Sequence, residues 1–262
     1  MDYINNIKKP LTDFIYSEGK ISVIIKAIIA IIIVIYLVNL MVSYYLIYKK
    51  WSTRSPFLVK NTKNGQKQLV IKQDPSNLYS ITINRSENMK NGIEFTYVMW
   101  IYIDNWRYKM GKWKHILHKG NETSWPLEAP GIWLHPKENK LRVYMNTFKN
   151  IGEYVDISDI PLKKWFQVTV AVKNKTLDVY INASLVKSHI LKSIPKQNWG
   201  DIYINSYGGF GGYVSNIKYL SEYISISELE KHFSTGPTGS FCVDSGNKSN
   251  PRYLSSRWIL NN

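Results

Sequence analysis

The stretch KKWFQVTVAVKNKTLDVYINASLVKSHI, residues 163–190, decides the fold class. Phe166, Val168, Val170 and Val172 fall on one side of a period of two, with Trp165, Gln167, Thr169 and Ala171 on the other. After Lys173-Asn174-Lys175 the alternation resumes, with Leu177, Val179 and Ile181 against Asp178, Tyr180 and Asn182. Successive side chains of an extended chain point to opposite faces, so the segment predicts two half-buried antiparallel strands joined by a tight turn.

Working outward, further short strand candidates lie at 68–72, 79–85, 94–103, 113–119, 131–136, 140–146, 154–158, 185–191, 201–205 and 213–220, separated throughout by turn residues. Many short strands with no helical pattern between them predict an all-β sandwich or jelly roll. One short helix follows. Ser225 with Glu228 three residues later is a capping box opening SISELEKHF, and Thr235-Gly236-Pro237 stops it. Residues 234–262 read as a polar C-terminal tail with late aromatics, Tyr253 and Trp258.

Ahead of the strands stands AIIAIIIVIYLVNLMVSYYLIY, residues 27–48, uncharged and interrupted only by Asn39, Ser43 and tyrosines. At about 1.5 Å per residue such a helix crosses a ~30 Å hydrocarbon core. Lys26 marks one edge; Lys49-Lys50 and Tyr44, Tyr45 and Tyr48 mark the other. The run is too long and begins too late for a cleaved signal peptide, and no small-x-small cleavage site follows it. The expected organisation is an N-terminal tail over 1–26, a transmembrane helix over 27–48, a linker over 49–67, the β-domain over 68–233 and the tail. Lys49, Lys50, Arg54, Lys60, Lys63 and Lys67 outweigh Lys8, Lys9, Lys20 and Lys26, which favours the β-domain on the cytosolic side. Sequons starting at Asn84, Asn121, Asn174, Asn182 and Asn247 argue the opposite if they are used.

A formal charge of +15 invites a nucleic-acid reading, but only six of the 34 basic residues are Arg, and the lysines are dispersed. Arg supplies the bidentate phosphate and base contacts of such interfaces, so no nucleic-acid partner is expected. The single cysteine, Cys242, allows neither an intrachain disulfide nor a Cys-based zinc site, and leans toward a reducing compartment.

EFTYVMWIYIDNW, WKHILHKG, GIWLHPKENKLRVYMN, the opening segment, and DIYINSYGGFGGYVSNIKYL with its closing helix together resemble the laminin-G-like, concanavalin A-like jelly roll over roughly residues 68–233. Similar domains occur in lectin-like and adhesive secreted proteins, in pentraxins, and in proteins of large DNA viruses with AT-rich genomes. Such domains usually have Asn-Gly where this chain has Asn182-Ala183. Glycine suits the positive φ of a type I′ turn, so Ala183 implies a strained or longer turn. The resemblance also implies a Ca²⁺ site between loops, for which Asp104, Asn105, Asp156, Asp159 and Asn205 at strand ends are the ligand candidates. No cofactor beyond that ion is expected.

The fold also houses glycoside hydrolases, which need two carboxyl groups about 5–5.5 Å apart in the retaining case. The acid cluster Glu153, Asp156 and Asp159 is spaced by three, which puts neighbours on opposite strand faces, so a hydrolase is the weakest reading. His115 and His118 face apart by the same rule, one semi-buried and one at the surface. GGFGG, residues 208–212, lacks the Lys-Ser/Thr of a phosphate loop and reads as a turn. There remain aromatics on loops expected to gather at one end of the sandwich: Trp106, Tyr108, Trp125, Tyr207 and Phe210. The sequence therefore predicts a single-pass membrane protein that binds rather than catalyses. One version is a structural tether, such as a minor virion component joining an internal membrane to a protein shell through a protein partner. The alternative is a lectin-like attachment protein binding a glycan or receptor.

Overall fold

A computed structural model describes residues 19–84, 86 and 93–238. Cys242, Tyr253, Trp258, the sequon at Asn247 and the first 18 residues lie outside them. The chain divides into two units, residues 1–52 and 53–262. Helix α1 (Lys20–Arg54) makes up nearly all of the described part of the first and ends two residues into the second; it contains the apolar run Val23–Tyr48, 26 residues long, whose apolar side chains are exposed in the isolated chain. By length and composition it is able to cross a membrane.

The second unit is a sandwich of two antiparallel sheets. The strands are β1 (Phe57–Val59), β2 (Lys63–Asn64), β3 (Leu69–Ile71), β4 (Glu94–Asn105), β5 (Lys114–Gly120), β6 (Glu128–Leu134), β7 (Lys140–Met145), β8 (Glu153–Ser158), β9 (Trp165–Lys173), β10 (Thr176–Ile181), β11 (Ser184–Ile190), β12 (Asp201–Ile204) and β13 (Gly211–Leu220). One sheet runs β1-β13-β4-β9-β10-β11, with β2 also paired to β13; the other runs β3-β12-β5-β6-β7-β8. Between them lies one apolar core, in which Phe166, Val168, Val170 and Val172 of β9 meet Ile132 and Leu134 of β6 and Leu141 and Val143 of β7. Each such side chain contributes roughly 1.5–3 kcal/mol on burial.

Three departures from the sequence reading have physical causes. Strand β9 is buried on both faces rather than half-buried. Helix α2 (Ile226–Thr235) brings Leu229 against Val98, Ala171, Leu220 and Ile224, so the face carrying Ala171 has its own small core. The capping box at Ser225 and Glu228 is present, and Gly236 ends the helix at φ 71°.

The stretch read as a linker begins the domain instead: β1 pairs with β13 and buries Leu58 and Val59. Conversely, residues 79–84 form no strand, because the Gln73 side chain takes the place of a ladder. Its amide donates to Ile81 O at 2.9 Å and accepts from Ile83 N at 3.1 Å.

The turn after β10 is short and strained. Ile181 pairs directly with Ser184, leaving Asn182 and Ala183 at φ 50° and 63°. Asn182 Oδ1 accepts from Gln167 N at 2.9 Å and pins the turn.

Candidate functional site

Strand alternation gives the six-stranded sheet an outer face as well as a core face. Register carries two rows of residues across it. One row runs Tyr203–His118–Gly131–Tyr144–Tyr154 over β12, β5, β6, β7 and β8. The next runs His115–Trp133–Arg142–Asp156 over β5 to β8. Their strand neighbours Ile202, Leu117, Ile132, Val143 and Val155 fill the core, so both rows face outward.

The histidines reach one face because β5 is bulged. The register passes from His115↔Trp133 to Leu117↔Ile132, leaving Ile116 as an extra residue. Ile116 and Leu117 both enter the core, and His118 returns to the side of His115. The expectation that an i,i+3 pair faces apart therefore fails at the bulge; both rings are fully buried and lie 2.7 Å apart, His115 Nε2 to His118 Nδ1.

Their outer nitrogens fix the tautomers. Ser206 N–H, which can only donate, points at His115 Nδ1 at 2.9 Å; Asn121 O, which can only accept, lies 2.9 Å from His118 Nε2. Both rings are thus neutral Nε2–H forms in a single donor chain running from Ser206 N–H to Asn121 O. Burial holds both pKa values below the ordinary histidine range, far below for His115, where the neighbouring His118 and Lys109 push the same way.

This chain anchors the turn Ser206–Gly208, where Asn205 just before it and Tyr207 within it take φ 54° and 55°. Left-handed non-glycine residues cost of order 1–3 kcal/mol each unless their surroundings dictate them. Here Asn205 N–H donates to Ile116 O at 2.9 Å, and Tyr207 Oη donates to Glu122 O at 2.9 Å. The result lays Tyr207 over Trp133, with ring centroids 5.9 Å apart and planes within 17°. Tyr203 stacks on His118 at 4.8 Å.

Beside this layer Arg142 makes a bidentate pair with Asp156, Nε–Oδ1 2.6 Å and Nη2–Oδ2 2.7 Å. Its guanidinium lies 3.7 Å from the Tyr154 ring centroid and 4.8 Å from that of Trp113, and Nη1 donates to Tyr144 Oη at 3.2 Å. The Glu128 carboxylate occupies the space above Gly131: a Cβ there would sit 1.9 Å from Glu128 Oε2. Trp133 Nε1 donates to that oxygen at 3.0 Å. Burial raises the Glu128 pKa, with Trp133 and Ser124 acting against the rise. The face is therefore a preset layer of rings around one guanidinium, whose Nε, Nη1 and Nη2 are already engaged.

The five aromatics expected on loops divide. Trp125 (58% exposed) and Tyr207 (46%) are open to solvent. Tyr108 is half-buried and donates to Gly208 O at 2.9 Å. Trp106 packs against the core beneath the Lys114 ammonium, 4.8 Å from its ring centroid. Phe210 is fully buried, because β13 begins at Gly211 and draws it inward; it belongs to the core, not to an exposed loop. Nor do the loops gather at one end of the sandwich. Those of Trp106 and Trp125 leave opposite ends of β5, and the 206–208 turn bridges them across the sheet through Tyr108–Gly208 and Tyr207–Glu122.

The calcium candidates are dispersed. Asp104 and Asn105 end β4 in the seven-stranded sheet, and Asp156 is held by Arg142. Asp159 sits in the turn after β8, and Asn205 is buried after β12, with its amide on Asn64 O and Lys67 O. Strands β12 and β8 stand four positions apart, about 19 Å at ordinary spacing. Among the described residues no group of three or more His, Cys, Asp or Glu side chains is placed to hold a metal ion.

Sequence reasoning missed Trp133, Arg142, Tyr144, Tyr154 and His118 as one surface. The signal was present in KLRVYM and EYVDIS, whose alternation sends Arg142, Tyr144, Tyr154 and Asp156 outward; only register brings them side by side.

No curated protein matches the chain in sequence. Solved structures similar to it include the binding domain of botulinum neurotoxin DC in complex with rat synaptotagmin II, at 14% identity and TM-score 0.49, covering 70% of this chain and 46% of that one. Others are the receptor binding domain of botulinum neurotoxin D (14%, 0.49, 70% and 53%) and the binding domain of Paraclostridial Mosquitocidal Protein 1 (15%, 0.45, 67% and 47%). The chain covers about half the length of these structures. A family model described as the concanavalin A-like lectin/glucanases superfamily, of laminin-G type, matches residues 76–225, from the turn before β4 through the start of the cap of α2. That span is more than half of the chain and takes in most of both sheets: the protein belongs to the concanavalin A-like lectin/glucanases superfamily.

Proposed function

We propose that the protein is a membrane-anchored, non-enzymatic binding module that docks a protein partner on the outer face of its six-stranded sheet. The observation that carries this reading is the ring layer around Arg142, with Trp133, Tyr144, Tyr154 and Tyr207 fixed before any partner arrives. Tyr, Trp and Arg are the residues enriched at interface hot spots, and a surface that is already ordered loses little entropy on docking. Hydrolysis fits the same face poorly, since Asp156 is neutralised by Arg142 and Glu128 is buried under its own hydrogen bonds.

Helix α1 supports membrane attachment, and the lysine excess after residue 48 supports a β-domain on the cytosolic side. A domain so placed suits a tether between an internal membrane and a protein shell, as in a minor virion component. A second reading, glycan or receptor attachment, is favoured by the exposed Trp125 and Tyr154 rings, whose apolar faces suit sugar C–H groups.

The variants Trp125→Ala and Tyr154→Ala separate the two. Under the protein-docking reading, Tyr154→Ala weakens retention of the partner by about 1–3 kcal/mol, while a glycan array stays silent for the unmodified chain. Array signals lost on either substitution would transfer the assignment to the lectin class. Full partner binding by both variants would remove the face from consideration.

A further inference from the structure

On the core side of β5, opposite His118, Lys119 turns into the space between the sheets. There the sandwich holds a cavity of about 170 Å³, walled chiefly by Ile83, Phe95, Tyr97, Ala129 and Tyr219, with Lys119 contributing the one ammonium among the described residues. Trp199, 82% exposed, stands at its rim. A cavity of about 150 Å³ with apolar walls accepts a benzene ring, so this one holds a ring-sized apolar group.

Lys119 is 9% exposed, and among the described residues Nζ donates to a single acceptor, Gly200 O, at 2.7 Å. An ammonium carries three donors, and a buried charge without an ionic partner is costly. Asp201 attracts it from a distance but is engaged by Lys72 Nζ at 2.8 Å and by Gln73 N at 2.9 Å. Several other polar groups along the wall are spent. The Gln73 amide serves Ile81 and Ile83, Asn198 bonds Lys119 O and Gly200 N, and Tyr219 Oη donates to Asn84 O. Among the described residues the wall therefore offers mainly apolar surface, the Tyr97 hydroxyl and spare donors on one cation.

We propose that this cavity is a binding site for a small organic acid, its carboxylate on Lys119 Nζ and a ring-sized apolar body against Phe95, Tyr97 and Tyr219. The site lies on the core side of the sheet and stands apart from the partner-docking face. The charge of Lys119 sets the pH range. Burial lowers its pKa to about 8, so the amine is mainly charged at pH 7 and mainly neutral at pH 9.5. The two tyrosines facing it keep their protons over that range, because burial raises the pKa of both Tyr97 and Tyr219.

The test uses the full chain in phospholipid nanodiscs, with 3-phenylpropionate as probe and empty nanodiscs as blank. Methyl resonances of Ile83 and Ala129 should shift saturably at pH 7. Affinity should fall at least tenfold for 3-phenylpropanol, for the Lys119→Met variant, and for the unmodified chain at pH 9.5. Lys119→Met removes a buried charge and should unfold at a higher temperature than the parent, so lost binding in it is not lost folding. Tyr154→Ala should bind the acid unchanged. Absence of saturable shifts, or equal affinity for the acid and the alcohol, or unaltered binding by Lys119→Met, would each overturn the proposal.

Discussion

Acid should loosen the turn that presents Tyr207, because the donor chain through His115 and His118 has no place for another proton. A proton on His115 Nδ1 would confront Ser206 N–H, and one on His118 Nδ1 would confront the Nε2–H of His115. Both folded pKa values lie below the unfolded value near 6.5, so the native state is fully favoured above that pH and loses stability as pH falls below it. Each histidine that stays neutral when folded contributes a slope approaching about 1.4 kcal/mol per pH unit, or about 2.7 for the pair. Between pH 7.5 and 5 the pair contributes a loss of up to about 4 kcal/mol, a large part of the 5–15 kcal/mol typical of a domain. His232, whose pKa is lowered by burial and by Lys218, adds to the slope with the same sign, so the measurement belongs in a His232→Gln background. Urea midpoints followed by tryptophan fluorescence from pH 7.5 to 5 give the slope, with Trp133 as a local reporter 4.5 Å from the His115 ring centroid. A His115→Gln/His118→Gln double variant should be less stable at pH 7.5 and much less pH-dependent. An equal slope in that variant, or ring ¹⁵N shifts showing imidazolium or Nδ1–H forms at pH 7, would refute the chain.

Replacing Ala183 with Gly removes a methyl-bearing residue from φ 63° and should stabilise the domain by about 0.5–1 kcal/mol after the unfolded-state entropy of glycine is set against the relief; thermal unfolding checks it. Gly131→Ala should destabilise by roughly 1–3 kcal/mol, since its Cβ would displace the Glu128 carboxylate, and should raise the exposure of Trp133 in fluorescence quenching. Expressed in a eukaryotic cell, the full chain should show no endoglycosidase shift, its sequons staying on the cytosolic side. Asn174, in the two-residue turn between β9 and β10, is the sequon whose modification would show the opposite orientation.

The sandwich was legible because alternation is a local property: each strand from β3 to β13 except β6 was expected within about two residues of its observed limits. Alternation says which residues share a face, but not what covers that face. Hence β9 read as half-buried, although α2 buries its second side, and Phe210 read as exposed, although β13 draws it in. A single-residue bulge at Ile116 inverts every face assignment after it, and no composition signal announces it; the histidine pair was lost there. The segments at 57–59 and 79–84 exchanged roles because their pairing depends on distant partners, β13 and the Gln73 side chain. Arg142 and Tyr154 needed the register of β7 on β8 to become neighbours.

Site-specific photo-cross-linking in the native membrane tests the docking face most directly. A benzophenone side chain placed at Tyr154, at Tyr207, or at Ser188 on edge strand β11 of the other sheet reports which surface meets a partner. The account predicts the same discrete protein adduct from Tyr154 and Tyr207, none from Ser188, and loss of the adduct when Arg142 is replaced by Ala. An adduct from Ser188 with none from Tyr154 or Tyr207 would contradict it.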